Sequence, residues 1–276
     1  MAVSLSWLRP PKMPADGNMS LADHLRELRY RVIVAMVAII VVMVVSAFFY
    51  QDLLTFLMRP WHAAREALIA ERPGQDLQVA NIGVTAPFTL AMKMCGVAGI
   101  VIASPFWIYQ LWAFIAPGLL AKEKKWALAF VGAATPLFLS GIAVGYIVLP
   151  KGIEVMLGFT PESEEITNLL DLSTFLNFML RLMLVFGIGF LIPVAVVALN
   201  LMGVVSAEQL ARSRSYVIFG TFVFGAVATP TGDPFSMLLL ALPMTVLFLV
   251  AELLCWINDR RKRKRGAQTS DLEVTT

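Results

Sequence analysis

The chain has 276 residues, 58% of them hydrophobic and 15% charged, and its mean hydropathy is +0.76. A soluble domain is about 45–50% apolar and about 25% charged, so composition excludes an ordinary water-soluble globular fold, and the length allows about six spans of ~20 residues. The net charge of +3 says little until its distribution along the chain is read.

Residues 1–18 are expected to be a flexible extension, and residues 19–258 one all-α integral membrane domain. No signal-peptide core is expected near the start: Val3 to Leu8 is too short, and the first long apolar run lacks a small-residue cleavage site. From Asp23 to Arg31 the pattern is an amphipathic turn feeding span one, with Ser20 as the expected N-cap. Glu27 and Arg31 stand four apart, a spacing that lets them pair along one helix face. Six apolar segments follow: Val32 to Gln51, Ile82 to Ala116, Trp126 to Pro150, Ser173 to Met202, Tyr216 to Ala228 and Phe235 to Ile257. The loop from Asp52 to Asn81 is expected to carry a short surface helix near Leu53 to Leu57, and the loop from Lys151 to Leu172 is acidic. The tail, 259–276, is basic and expected to be disordered.

The basic residues set the orientation. Arg9, Lys12, Arg26, Arg29 and Arg31 precede span one; Lys122, Lys124 and Lys125 lie between spans two and three; Arg212 and Arg214 lie between spans four and five; Arg260 to Arg265 follow span six. The intervening loops hold only Arg59, Arg65, Arg72 and Lys151. Cytoplasmic loops are the Lys/Arg-rich ones, so both termini are expected in the cytoplasm.

The fifth segment is short. Its length as a helix is ~20 Å against a ~30 Å hydrocarbon core. A local thinning of the bilayer or packing against longer neighbours would accommodate it, and length alone favours packing. Three ionisable groups interrupt the spans. Lys93 can snorkel to the outer interface. Glu252 sits near the cytoplasmic end of span six, and Arg181 lies deeper in span four, at a depth that does not match Glu252. Arg181 is left without an assigned role. Cys95 and Cys255 have the spacing of neither a metal clip nor a redox pair and read as buried small hydrophobes.

Enzyme signatures are missing. His24 and His62 fall on opposite faces, and no metalloprotease helix, nucleophile elbow or phosphate-cradling loop occurs. A lone Glu252 in the spans does not make an aspartyl dyad. No catalysis, metal, nucleotide or nucleic-acid binding is expected.

Four motifs, in order, carry a family resemblance. They are Met19-Ser20 with His24-Leu25-Arg26-Glu27-Leu28-Arg29-Tyr30-Arg31; Ser104 through Leu119 (SPFWIYQLWAFIAPGL) followed by Glu123-Lys124; Phe186-Gly187 leading to Phe190, Pro193 and Val194; and Thr229-Pro230 through Asp233-Pro234-Phe235-Ser236, with Pro243 beyond. The chain resembles the TatC family, the signal-receptor subunit of the twin-arginine protein translocase. The resemblance implies a cupped, glove-like bundle of six helices in the bacterial plasma membrane. It also implies capture of twin-arginine signals on folded precursors, oligomeric assembly with single-span TatA-like and TatB-like partners, and transport driven by the proton-motive force. It places signal binding on Glu27 and Glu123, with Arg29 in the same patch and Phe114 and Leu119 as apolar contacts. Carboxylates suit an arginine pair because they accept short, bidentate bonds that lysine cannot return in the same geometry. Gln110 is implied as a polar contact for a partner helix and Pro60 as a shaper of the outer cap, with Pro105, Pro117, Asp233 and Glu252 in partner or structural roles. Leu191 stands where many members carry a glutamate, which removes a polar contact for a partner, and Glu252 lies about one turn past the usual acidic position. The competing readings are a small-solute transporter, which should show internal repeats that are not found here, and a passive scaffold.

Overall fold

The computed structural model describes residues 21–71, 77–115, 124–159, 168–228 and 234–274. Among these residues the chain forms eight helices and two short strands: α1 Leu21–Ala47, α2 Tyr50–Glu71, β1 Leu77–Ala80, α3 Ala86–Ile102, α4 Ser104–Ile115, α5 Lys124–Leu157, β2 Asn168–Asp171, α6 Leu172–Leu201, α7 Ala207–Ala228 and α8 Pro234–Val274. Ser20, Pro117, Leu119, Glu123 and Asp233 lie outside the described residues. Four helices are long and apolar enough to cross a membrane; a fifth crossing results if the bent pair α3–α4 counts as one. The segment expected as span five is not among them: it is the apolar second half of α7, whose first half holds Arg212 and Arg214.

Span two is broken. α3 and α4 meet at 61°, and Pro105, which has no N–H to donate back along the helix, is the second residue of α4. Local bonds cover the exposed backbone at the break. The Phe106 and Trp107 amides donate to the Ala103 carbonyl at 3.0 and 3.2 Å. The Trp107 indole Nε1 donates to the Ile100 carbonyl at 2.9 Å. The loop expected to carry a short helix near Leu53 to Leu57 holds the longer, 22-residue helix α2.

Two four-residue strands accompany the helices of this all-α fold. β1 and β2 pair in parallel, with Leu77 opposite Asn168 and Ala80 opposite Asp171. The strands come from the two long loops and are too short and too far apart in sequence for alternation to reveal them. α8 continues through Val274. Its Lys- and Arg-rich run has good helix propensity, and no proline interrupts it.

The chain divides into two compact units: Met1–His62, Asp76–Pro136 and Thr167–Leu180 in one; Ala63–Gln75, Leu137–Ile166 and Arg181–Thr276 in the other. In the first, α1 crosses close to α3 because Gly99 lacks a side chain; a Cβ there would lie 2.8 Å from the Ile39 carbonyl oxygen. Pro60 is buried inside α2, and the adjacent Trp61 packs edge-on against Phe175 with centroids 6.0 Å apart. Asp171 caps α6. Its carboxylate accepts from the Thr174 hydroxyl at 2.5 Å and from the Thr174 and Ser173 amides at 3.0 and 3.3 Å. The Thr174 hydroxyl, and after it these amides, hold the Asp171 carboxyl below the usual carboxylate range.

In the second unit α5 meets α6 at glycine. A Cβ on Gly141 would stand 2.6 Å from the Phe186 carbonyl oxygen and 2.9 Å from the Gly187 Cα. The α6–α7 connection is a Schellman turn: Gly203 has φ +80, Val204 N–H donates to Leu199 at 3.0 Å and Gly203 N–H to Asn200 at 2.9 Å. A capping box starts α7: the Gln209 amide donates to the Ser206 hydroxyl at 3.2 Å, and the Ser206 amide to the Gln209 side chain at 2.9 Å. Beneath it Leu210, Phe248 and Cys255 form a buried cluster with Ala207.

Candidate functional site

The first turns of α1 place His24, Glu27 and Arg31 at i, i+3 and i+7, one stripe of a helix. Gln110 and Phe114, four apart on α4, form the facing stripe. Both contacts are in place. The His24 and Phe114 rings stack with centroids 4.5 Å apart and planes at 18°. Arg31 Nη1 donates to Gln110 Oε1 at 3.3 Å. The early residue of one helix meets the late residue of the other, so the two stripes run antiparallel, with Glu27 between the contacts.

Glu27 is 3% exposed. Arg31 Nε and Nη2 both donate to the same oxygen, Oε1, at 2.9 and 2.5 Å. Oε2 is buried and has no hydrogen-bond partner among the described residues. A buried carboxylate oxygen without a donor is costly. The pairing with Arg31 follows from their spacing; the single-oxygen geometry does not. Arg29, two residues on, stands on another face of α1 and is exposed. Gln110, expected to meet a partner helix, here accepts from Arg31. At the C-terminal end of α4, Trp112 stacks on Phe130 at 3.9 Å and 14°, tying α4 to the start of α5. The segment between these helices contains Leu119 and Glu123.

Two polar clusters in the second unit go beyond the sequence-based expectations. Arg214 on α7 grips Glu252 on α8, Nη2 to Oε1 at 2.5 Å and Nε to Oε2 at 3.0 Å, and Glu252 is 8% exposed. The clue was available: Arg214 lies just before the fifth segment and Glu252 just before the end of the sixth, at matching depth. The other cluster centres on Asn200, 1% exposed. Asn200 donates to the Val205 carbonyl at 2.9 Å and to Asp259 Oδ1 at 3.1 Å and accepts from Asn258 at 2.8 Å. Asp259 Oδ2 in turn accepts the Ala207 amide at 2.8 Å, capping α7 from another helix. Lys262 reaches the Asn200 and Leu201 carbonyls at the end of α6, both at 3.4 Å. Arg181 is exposed on α6, and among the described residues it makes no hydrogen bond or ion pair. No group of three or more potential metal ligands occurs among the described residues.

Long apolar helices, a bent pair of apolar helices and polar clusters at helix ends define a multi-span integral membrane protein. The family model for the Sec-independent protein translocase protein TatC matches residues 23–243. Curated TatC proteins are similar over most of the chain. That of Xylanimonas cellulosilytica is 37% identical over 92% of this chain and 91% of its own length; that of Escherichia coli K12 is 33% identical over 86% and 88%. The crystal structure of the twin-arginine translocase receptor TatC in DDM superposes with a TM-score of 0.70 at 31% identity, covering 84% of this chain and 99% of that one. The chain belongs to the TatC family and is a subunit of a Tat protein translocase.

Proposed function

We propose that this chain is the signal receptor of its translocase, with Glu27 as the primary acceptor for the arginine pair of an export signal. Glu123, immediately before α5, supplies the second carboxylate, Arg29 adds to the patch from the exposed neighbouring face of α1, and Phe114 and Leu119 give apolar contact to the signal. The observation that carries this reading is the buried Glu27 Oε2, a carboxyl oxygen with no donor among the described residues beside an aromatic pair. An incoming guanidinium completes its coordination with a charge-assisted bond, whereas a lysine supplies only a point charge.

In this reading the chain crosses the bacterial plasma membrane six times with both termini in the cytoplasm, the basic loops marking the inner face. It works without catalysis or a cofactor, assembles with TatA-like and TatB-like single-span subunits, and passes folded cargo at the expense of the proton-motive force. Site-specific crosslinking to a precursor with an intact arginine pair tests it. Glu27→Ala combined with Glu123→Ala is expected to abolish the crosslink and export, and unchanged export in that variant overturns the assignment.

A further inference from the structure

Two open cavities, of about 430 and 400 Å³, lie along α7 and α8. Both are lined by Ala207, Ala211 and Trp256, so they form one continuous groove. Leu249 and Leu253 line one end, and Arg260 and Arg263 the other. Along a helix, Leu249 to Arg263 is roughly 21 Å, about half of a ~40–45 Å bilayer including headgroups.

The charges in the groove are unequally occupied. Glu252 is held by Arg214, and Asp259 is held by Asn200 and the Ala207 amide. Glu208 is the remaining acid. Arg260 lies over the Trp256 ring, 5.2 Å from its centroid, and among the described residues neither Arg260 nor Arg263 is paired with a carboxylate. At its interfacial end the groove therefore presents two arginines without carboxylate partners, beside Glu208 and the hydrogen-bonded Asp259, and its aromatic and aliphatic surface runs along one leaflet's depth.

We propose that this groove binds an anionic phospholipid, its phosphate between Arg260 and Arg263 and one acyl chain along Trp256, Leu253 and Leu249. Polarity and length both match that occupant. A transmembrane helix about 10 Å across is too broad to fill such cavities and gives the two arginines no anion at interfacial depth. Each guanidinium can return a bidentate pair of N–H bonds to phosphate oxygens, which a lysine cannot.

Native mass spectrometry of the full-length protein in detergent doped with phosphatidylglycerol or phosphatidylcholine tests the site. One phosphatidylglycerol is expected to survive activation that strips phosphatidylcholine. R260Q/R263Q is expected to weaken its retention about tenfold, whereas R261Q, a neighbouring cation outside the groove, leaves it unchanged. Should the double variant not fold, brominated phosphatidylglycerol is the second reading: it is expected to quench part of the wild-type fluorescence, and Trp256→Phe to remove that part. Equal loss in R261Q would mean attraction by the basic run as a whole and overturns the site. Equal retention of both lipids, or an Ala211 photocrosslinker that captures a protein helix in place of lipid, overturns it too. No export substrate is present in these measurements, so their failure leaves the receptor reading standing.

Discussion

Glu27 and Arg31 can be separated by substitution in a way that distinguishes a binding site from a structural ion pair. Arg31→Gln removes both donors to Oε1 and leaves a carboxylate whose side chain is 4% exposed without its charge partner. Breaking a buried pair in this manner costs about 3–5 kcal/mol. The Arg31 side chain is itself 16% exposed and water can reach that end, so about 3 kcal/mol is expected. Glu27→Gln has the opposite profile. The amide oxygen still accepts from Arg31, so the stability loss is about 1 kcal/mol, the difference between a charge-assisted and a neutral bond. A guanidinium arriving at Oε2, however, loses its ionic acceptor, worth about 1.5–3 kcal/mol, which weakens binding by about tenfold to a hundredfold. Arg31→Gln relieves competition for the same carboxylate, so signal affinity per folded molecule should hold or rise. Thermal unfolding in nanodiscs gives the first quantity, and crosslink titration against precursors with Arg-Arg and Lys-Lys signals gives the second. If both variants lose stability and binding in proportion, Glu27 is only a structural group and the argument fails.

Asn200→Ala deletes three hydrogen bonds at a fully buried site and leaves one Asp259 oxygen short of a donor, so a loss of about 3 kcal/mol is expected; hydrogen exchange should show it first in the 202–206 turn. Gly141→Ala drives a Cβ against the backbone of α6, at about 1–3 kcal/mol, whereas the same change at Gly132, with nothing within 4 Å, should hold or raise the unfolding temperature, since alanine favours the helix. The Asp171 cap is pH-dependent in one direction. Its folded-state pKa is depressed, so its stabilisation is present above the unfolded value of about 3.9 and disappears as pH falls through the folded value. The wild type should therefore lose unfolding temperature relative to Asp171→Asn on acidification below about pH 4, and parallel pH profiles would contradict the cap.

The helical, membrane-embedded character of this chain was legible because it depends on local quantities: runs of apolar residues, their length against the bilayer, and the alternation of Lys and Arg between loops. The family motifs likewise lie in contiguous stretches, so Glu27, Gln110 and Phe114 could be singled out before any contact was known. The capping box at Ser206 and Gln209 was equally readable, and noticing it would have moved the start of the fifth helix back to Ala207. The Glu27–Arg31 pair was readable too, since both partners sit on one helix.

What distance in sequence separates, only packing brought together. The parallel β1–β2 pair joins two loops about ninety residues apart, and Asp259 caps a helix that begins 52 residues earlier. Neither leaves a periodic trace, because pairing between remote segments is decided by how helices stack and not by local preference. The 61° break at Pro105 is similar: a proline announces a weak point, but its angle depends on what α3 and α4 pack against. The same holds for the site. Sequence spacing could say that Glu27 had a partner in Arg31; the tertiary structure decided that both donors take one oxygen and leave the other buried and open.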